Sequence, residues 1–308
     1  MTTIKNNIPF IDHPNKNLPN FIIALTGQSN SQGYRTTYDA NNPKDQPNSR
    51  IFGWNPSIEQ WQIADLNTES LGWNYETFKQ AGTQCSAFHF ARRLIETYPN
   101  IRPGIINVGV SGATIAFWTN WRPEDKDYAL SKSKLQWYNG KNTFPDYKTH
   151  NQGYIFDVHI QQIKFALNYL PITNKIVNVI CYDQGESDPQ LDYFTNSLSQ
   201  VINRYKYTLR ILKYYDPNMF GFIAVSTTGM LYFNSDIKVN DVLVKLNIDS
   251  DPLTRYVDAT DLPVAIQAGT TSTPDMYHFN SESQRVIGER LFNEYNLIFQ
   301  QDNFASNP

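Results

Sequence analysis

The residues best suited to nucleophilic chemistry lie at 26–33 and read Thr-Gly-Gln-Ser-Asn-Ser-Gln-Gly. They follow the apolar run 21–25, which is typical of a strand buried on both faces of a parallel sheet. The glycines and small polar residues predict a tight turn at the carboxyl end of that strand, where ligands bind in open α/β sheets. Such a turn would expose the hydroxyl and the backbone N–H of Ser29, as a nucleophilic serine requires. The octapeptide by itself is equally consistent with an ordinary turn.

His278 is the best candidate for a general base, because it follows Asp275 by three residues in a predicted loop that leads into a helix. An imidazole can take the proton of a serine hydroxyl, while the carboxylate fixes its tautomer and stabilises the imidazolium that forms. The remaining histidines lie in predicted helices, in the N-terminal segment or in a long polar stretch, where surface or packing roles are usual: His13, His89, His150 and His159.

Acyl transfer also needs hydrogen-bond donors aimed at the developing oxyanion. Gly112 follows the predicted strand 104–110, and its backbone N–H suits this task together with that of Ser29, because glycine lets the backbone approach closely. Gln184 follows the predicted strand 175–182 and offers a side-chain amide, which donates without taking the proton of the nucleophile. A simple turn at Gly112 and a strand end at Gln184 are the alternative interpretations.

The acids beside Gln184 do not predict a metal centre. Asp183, Glu186 and Asp188 form no recognised cation loop, and no two histidines stand at ligand spacing. Glu186 and Asp188 are equally consistent with solvated loop acids. We therefore expect neither a metal nor another cofactor.

The elements that must position these residues alternate between strands and helices. Strands are predicted at 21–25, 51–54, 104–110, 175–182 and 220–225, with a shorter candidate at 256–258. Helices are predicted at 85–98, 156–170, 191–214 and 281–299, with a shorter candidate at 239–246. This alternation predicts one three-layer α/β domain with a mostly parallel sheet. In such a sheet the turns that carry Ser29, Gly112, Gln184 and His278 would meet at one edge.

The chain is predicted to hold a single domain over 21–300, preceded by an arm at 1–20 that is rich in Asn, Pro and Lys and followed by a short tail at 301–308. The polar, aromatic stretch 119–153 has weak periodicity. A loop of that length is usually functional or disordered, and we predict a partly ordered insertion beside the site.

Composition excludes several classes of function. The formal charge of −3 and pI of about 6.0, without a basic block, make nucleic acid a poor partner. The N-terminus lacks the apolar core of a signal peptide, and no run of 18 apolar residues occurs. We therefore expect a soluble protein, cytoplasmic or associated with a virion or appendage, that does not bind membranes. Cys85 and Cys181 are predicted to be buried free thiols.

Four blocks in order resemble the SGNH hydrolases and, within them, the sialate O-acetylesterase and acetylxylan esterase branch of the carbohydrate esterases. The blocks are Gly27-Gln28-Ser29-Asn30, Ser111-Gly112-Ala113-Thr114-Ile115 with Trp118, Gln184-Gly185-Glu186-Ser187-Asp188, and Asp275-x-x-His278-Phe279-Asn280. Together they span about residues 21–298 of the chain. The chain departs from the family pattern at Ser31, Ser111, Ala113 and Asp183.

The resemblance implies a flavodoxin-like α/β/α sandwich with a mostly parallel five-stranded sheet. It also implies metal-independent removal of O-acetyl groups from a sugar such as sialate or xylan. It makes Ser29 the nucleophile, Asp275 and His278 the rest of a triad, and Gly112 and Gln184 oxyanion donors. The same blocks supply further candidates for substrate contact or support of the site: Gln28, Asn30, Glu186 and Trp118.

We therefore interpret the sequence as that of a serine esterase whose partner is an acetylated carbohydrate. Two alternatives stay open. One is a carbohydrate-binding or structural module, for instance of a virion or appendage, that kept the fold with weak or absent turnover. The other is a lipid or thioester esterase, which the aromatic insertion and the lack of an evident acyl groove disfavour. The particular sugar and the oligomeric state are not determined by the sequence.

Overall fold

A computed structural model describes residues 15–68, 73–74, 82–113, 115–119, 154–171, 175–186, 191–234, 239–243 and 251–300. The greater part of the predicted arm, nearly all of the predicted insertion, and the predicted tail lie outside these residues, as does Asp188.

Within the described residues, one large sheet contains eight strands. They are β1 Phe21–Gly27, β2 Phe52–Asn55, β3 Gln60–Ile63, β4 Trp73–Asn74, β5 Pro103–Gly109, β6 Val179–Asp183, β7 Gly221–Val225 and β8 Thr254–Val257. The strand order is β3-β2-β5-β1-β6-β7-β8, and β4 also pairs with β5. The β2–β3 pair is antiparallel and all other pairs are parallel. The α/β class and the mostly parallel sheet are confirmed.

The predicted count of five strands was too low. β3 is an edge strand whose residues are exposed or half-buried, and β4 has only two residues, so neither shows the apolar run that marks a buried strand. β6 begins later than predicted, at Val179. Just before it, the side-chain oxygen of Asn178 accepts the backbone N–H of Ile22 at 2.7 Å.

A second, two-stranded antiparallel sheet pairs β9, Val264–Ile266, with β10, Pro274–Phe279. The sequence predicted a loop here, and β10 therefore corrects the expected setting of Asp275 and His278. The strand was missed because it mixes Asp, Met, Tyr and His and lacks a clean apolar alternation.

Helices cover both faces of the large sheet and so form the outer layers. They are α1 Ser86–Thr97, α2 Tyr154–Asn168, α3 Leu191–Ile211, α4 Gly229–Asn234, α5 Val239–Leu243 and α6 Ser281–Gln300, with a 3₁₀ turn at Ile115–Trp118. The short helix α4 was not predicted. None of the helices in the described ranges combines the length and the hydropathy that crossing a bilayer requires.

β1 lies at the centre of the three layers, and all seven of its residues are buried. Ile22 and Ala24 belong to the core shared with α2 and α3. Phe21 faces the opposite layer, where its ring lies 6.5 Å from that of Phe90 on α1 and 5.3 Å from that of Tyr295 on α6. The burial of both faces explains the continuous apolar run that predicted this strand.

The carboxyl ends of β5, β1 and β6 are level with one another. Gly27 is in register with Gly109 on one side and with Asp183 on the other. Gly27 has φ +149°, and a Cβ there would lie 1.9 Å from the carbonyl oxygen of Asp183. Glycine is therefore required where β1 leaves the sheet.

We expect Gly27→Ala to lower the free energy of unfolding by about 3 kcal/mol or more, because backbone strain adds to a clash with β6. Gly269→Ala is the matched control, since Gly269 has φ +77° but a Cβ added there would meet no atom within 4 Å. Strain alone should cost it about 1 kcal/mol. Urea unfolding measures both values, and equal losses would contradict the role of the close approach.

Candidate active site

Ser29, His278 and Asp275 form a continuous hydrogen-bonded chain. Ser29 Oγ lies 2.9 Å from His278 Nε2, and His278 Nδ1 lies 2.8 Å from Asp275 Oδ2. The other carboxylate oxygen of Asp275 accepts the backbone N–H of Tyr277 at 3.0 Å, which fixes the carboxyl plane. Ser29 is 6% exposed and Asp275 8% exposed, so the chain is shielded but reachable from one side. The structure thus brings together three residues that are up to 249 positions apart.

Asn30, directly after the serine, holds the strand that carries the histidine. Its side-chain oxygen accepts the N–H of Phe279 at 3.1 Å, and its side-chain nitrogen donates to the carbonyl of Tyr277 at 3.0 Å. These two backbone groups flank His278. One carboxamide therefore sets the position of the imidazole relative to the serine hydroxyl.

Glu186 connects the residues on both sides of the serine. Its carboxylate accepts hydrogen bonds from the side-chain amides of Gln28 and Asn30. The side chain reaches this position from the turn after β6, and Glu186 is 7% exposed. A buried carboxylate is stabilised by such donors, and in return it orients them.

The turns after β1 and β5 are tied to each other through side chains. Gln32 Nε2 donates to the carbonyl of Gly109 at 2.7 Å, and Ser111 Oγ donates to Gln32 Oε1 at 3.0 Å. Within the first turn, Ser31 Oγ donates to the carbonyl of Gln28 at 2.7 Å. Two departures from the family pattern, Ser31 and Ser111, therefore each stabilise a turn beside the nucleophile.

The candidate oxyanion donors lie just after the carboxyl ends of three strands that are neighbours in the sheet, β5, β1 and β6. In the described residues, the backbone N–H groups of Ser29 and Gly112 donate to no protein acceptor. Gly112 is exposed and has φ +70°, which favours glycine. The side-chain amide of Gln184 donates to the carbonyl of Ala113 at 2.9 Å.

Trp118 lies beneath the site and has no exposed surface. Its indole N–H donates to Thr26 Oγ1 at 3.2 Å, and its ring meets that of Tyr182 edge-on at 5.6 Å. This placement suits support of the strand ends and not contact with a ligand. Within the described ranges, no three His, Cys, Asp or Glu side chains come together as ligands of one metal ion.

Asp183 is a buried acid, and the sequence alone did not show whether it is ionised. It has no exposed surface, and its side-chain oxygens have no hydrogen-bond partner among the described residues. Burial, reinforced by the negative charge of Glu186, raises the pKa of Asp183 well above its usual range. The neutral form of Asp183 is therefore favoured.

Two residues beside the triad escaped the sequence analysis. The ring of Tyr34 lies 4.8 Å from that of His278, and Arg35 Nε lies 3.7 Å from Asp275 Oδ2. The only signal in the sequence was the position of this pair directly after Gly33, where the polar turn ends. Tyr34 is 42% exposed, and Tyr277 on the neighbouring strand is 45% exposed.

A sequence model of the family described as "Carbohydrate esterase, sialic acid-specific acetylesterase" matches residues 19–296. The chain belongs to this family. It is accordingly a carboxylic ester hydrolase of the carbohydrate O-acetylesterase type. None of the curated protein sequences compared with this chain matches it.

Solved structures share the fold of this chain at low sequence identity. NanS superimposes with a TM-score of 0.62 and 16% identity, over 92% of this chain and 99% of NanS. A protein from Arabidopsis thaliana superimposes with a TM-score of 0.61 and 18% sequence identity. The match covers 90% of this chain and 98% of the Arabidopsis protein. A carbohydrate acetylesterase from Xanthomonas citri superimposes with a TM-score of 0.52 and 14% sequence identity. The match covers 92% of this chain and 57% of the Xanthomonas protein. At these identities the likeness establishes the fold alone.

We expect Glu186→Gln to lower kcat/KM for acetyl ester hydrolysis by about tenfold to a hundredfold. The new amide would turn N–H groups towards those of Gln28 and Asn30, and small displacements of catalytic groups are costly. Steady-state kinetics measure the effect. Glu96→Gln is the control, because Glu96 is a partly exposed acid on α1 whose described partner is Arg93. Equal activity of the Glu186 variant and the wild type would contradict the supporting role.

We expect the free energy of unfolding of Asp183→Asn, relative to that of the wild type, to increase as the pH rises. Since the folded-state pKa of Asp183 is raised, the folded chain keeps a proton that the unfolded chain releases above about pH 4. The free energy of unfolding of the wild type then falls with rising pH by up to about 1.4 kcal/mol per pH unit. The fall ends when the pH reaches the folded-state pKa of Asp183. Urea unfolding from about pH 5 to about pH 8 tests this, and a difference that stays constant with pH would refute it.

Proposed function

We propose that the chain removes O-acetyl groups from carbohydrate by a metal-independent Ser-His-Asp mechanism. The observation that carries the proposal is the hydrogen-bonded chain from Ser29 Oγ through His278 to Asp275, with donor–acceptor distances of 2.9 and 2.8 Å. These distances lie within the range needed for proton transfer.

In the first step Ser29 Oγ attacks the acetyl carbonyl carbon while His278 Nε2 takes the hydroxyl proton. Asp275 stabilises the imidazolium that forms. The oxyanion of the tetrahedral intermediate accepts hydrogen bonds from the N–H groups of Ser29 and Gly112 and from the amide of Gln184. The intermediate collapses as His278 returns the proton to the sugar oxygen, which leaves as an alcohol.

In the second step a water molecule attacks the acetyl-serine ester, again with His278 as the base. Collapse of the second intermediate returns the proton from His278 to Ser29 Oγ and releases acetic acid, which ionises to acetate in water. The nucleophile, the base and the oxyanion donors are all protein groups, and this supports a mechanism that needs no metal ion.

The side on which the alcohol leaves indicates where the sugar binds in the proposed mechanism. His278 protonates the leaving oxygen, so the sugar must lie on the side of the imidazole. Tyr34 and Tyr277 border that side and are 42% and 45% exposed, and aromatic rings of this kind stack on sugar faces. Together with the family description, this supports an O-acetylated sialic acid as the first candidate and a xylan-like glycan as the second.

We expect Ser29→Ala to lose at least about a thousandfold in the rate of acetate release from O-acetylated sialic acid or from p-nitrophenyl acetate. Ser57→Ala is the control, since Ser57 is exposed in the turn between β2 and β3. Parallel assays with acetylated xylan identify the sugar class. Equal rates in the Ser29 variant and the wild type would exclude the mechanism. A wild type that binds acetylated sugar but releases no acetate would favour the non-catalytic carbohydrate-binding module.

A further inference from the structure

Arg35 lies beside the catalytic triad, and the mechanism above gives it no task. Its Nε is 3.7 Å from Asp275 Oδ2, the same oxygen that faces His278 Nδ1. Its guanidinium carbon also lies 4.8 Å from the centre of the Tyr34 ring, and that ring lies 4.8 Å from the ring of His278. Arg35, Tyr34, His278 and Asp275 therefore form a closed ring of contacts.

The backbone at Arg35 is in the left-handed region, with φ +65°. Such a conformation is unfavourable for a residue with a branched or long side chain and persists where other contacts offset its cost. Here the contacts with Tyr34 and Asp275 do so. The strained residue thus lies next to the triad, where backbone strain often serves function.

We propose that Arg35 is a positioning residue that extends the activity of the esterase towards acidic pH by opposing protonation of His278 in the resting enzyme. The proposal rests on the function proposed above. Asp275 favours the imidazolium through its negative charge. A cation close to the same carboxylate oxygen weakens that attraction and repels the second positive charge. The net electrostatic interaction of the site with an imidazolium is therefore less favourable with Arg35 present than without it.

Other charged and titratable groups around His278 come from three elements. Asp275 and Tyr277 belong to its own strand β10, and Tyr34 and Arg35 follow the turn after β1. Glu186 follows β6 and is connected to this strand through the side chain of Asn30. Arg35 is the one cation with a contact to the triad in the part of the chain that the structure describes.

The test compares Arg35→Gln with Arg35→Lys. Both keep a non-glycine residue at φ +65°, so the backbone strain is matched. The pH dependence of kcat/KM for p-nitrophenyl acetate is measured for both variants and the wild type, since this ester does not depend on sugar contacts. We expect the acidic midpoint of Arg35→Gln to move upward by roughly 0.3 to 0.7 pH unit, the range of a partly exposed ion pair. Arg35→Lys should restore most of the wild-type midpoint.

Salt and a second arginine sharpen the test. The difference between the wild type and Arg35→Gln should shrink in about 1 M NaCl, because screening weakens partly exposed charges. Arg93→Gln also removes one positive charge, from an exposed pair with Glu96 on α1, and should leave the midpoint unchanged. A loss of rate that is equal at every pH, or an unchanged midpoint in Arg35→Gln, overturns the proposal.

Failure of this inference is distinguishable from failure of the proposed function. If the wild type hydrolyses the ester and Ser29→Ala does not, an unmoved midpoint in Arg35→Gln rejects the role of Arg35 alone. If the wild type shows no turnover, the proposed function fails. NMR titration of the His278 ring, identified by its loss in His278→Asn, still compares the protonation midpoints of the wild type and Arg35→Gln. Equal midpoints there reject the inference as well.

Discussion

The carboxamide of Asn30 is the interaction on which the arrangement of the site depends. Ser29 follows a strand of the large, mostly parallel sheet, whereas His278 lies on a strand of a separate antiparallel sheet. Asn30 joins the two, because it bonds the backbone on both sides of His278 while its own backbone is continuous with Ser29. Without such a link, a hydrogen bond of 2.9 Å between serine and histidine would rely on the relative position of two sheets that share no strand pairing.

Asn30 is itself held in place by hydrogen bonds to two other residues. Glu186 accepts from the Asn30 side chain, and Gln284 in the first turn of α6 donates to the Asn30 carbonyl at 3.1 Å. The start of α6 is fixed in turn, since the side chain of Asn280 accepts the backbone N–H of Ser283 at 2.9 Å as a helix cap. The helix that follows His278 is therefore bonded to the residue that follows Ser29.

Buried acids are accommodated in different ways between α1 and α6 and at the candidate site. Asp45, with no exposed surface, accepts two hydrogen bonds from Arg285 at 2.7 and 2.8 Å and a third from Gln84. Gln84 also bonds His89, and burial lowers the pKa of that imidazole to about 3, so it stays neutral. This network fixes α6 against α1 and the loop after β1. At the site, by contrast, the side chain of Glu186 accepts from the amides of Gln28 and Asn30, and the raised pKa of Asp183 favours its neutral form.

The sequence by itself determined the α/β class, because a strand buried on both faces requires an unbroken apolar run and an amphipathic helix requires a 3.6-residue period. It also singled out Ser29, His278 and Asp275, since few residue types serve as nucleophile and base and local spacing pairs the acid with the histidine. It did not predict β3, β4 or β10, whose short or exposed segments carry weak patterns. Only the tertiary structure decided that Asn30 holds β10, that Glu186 orients the residues around Ser29, and that Tyr34 and Arg35 lie against the triad. Each of these contacts joins segments far apart in the chain. The spatial distance between those segments depends on how the two sheets and α6 pack. No local pattern of residues encodes that distance.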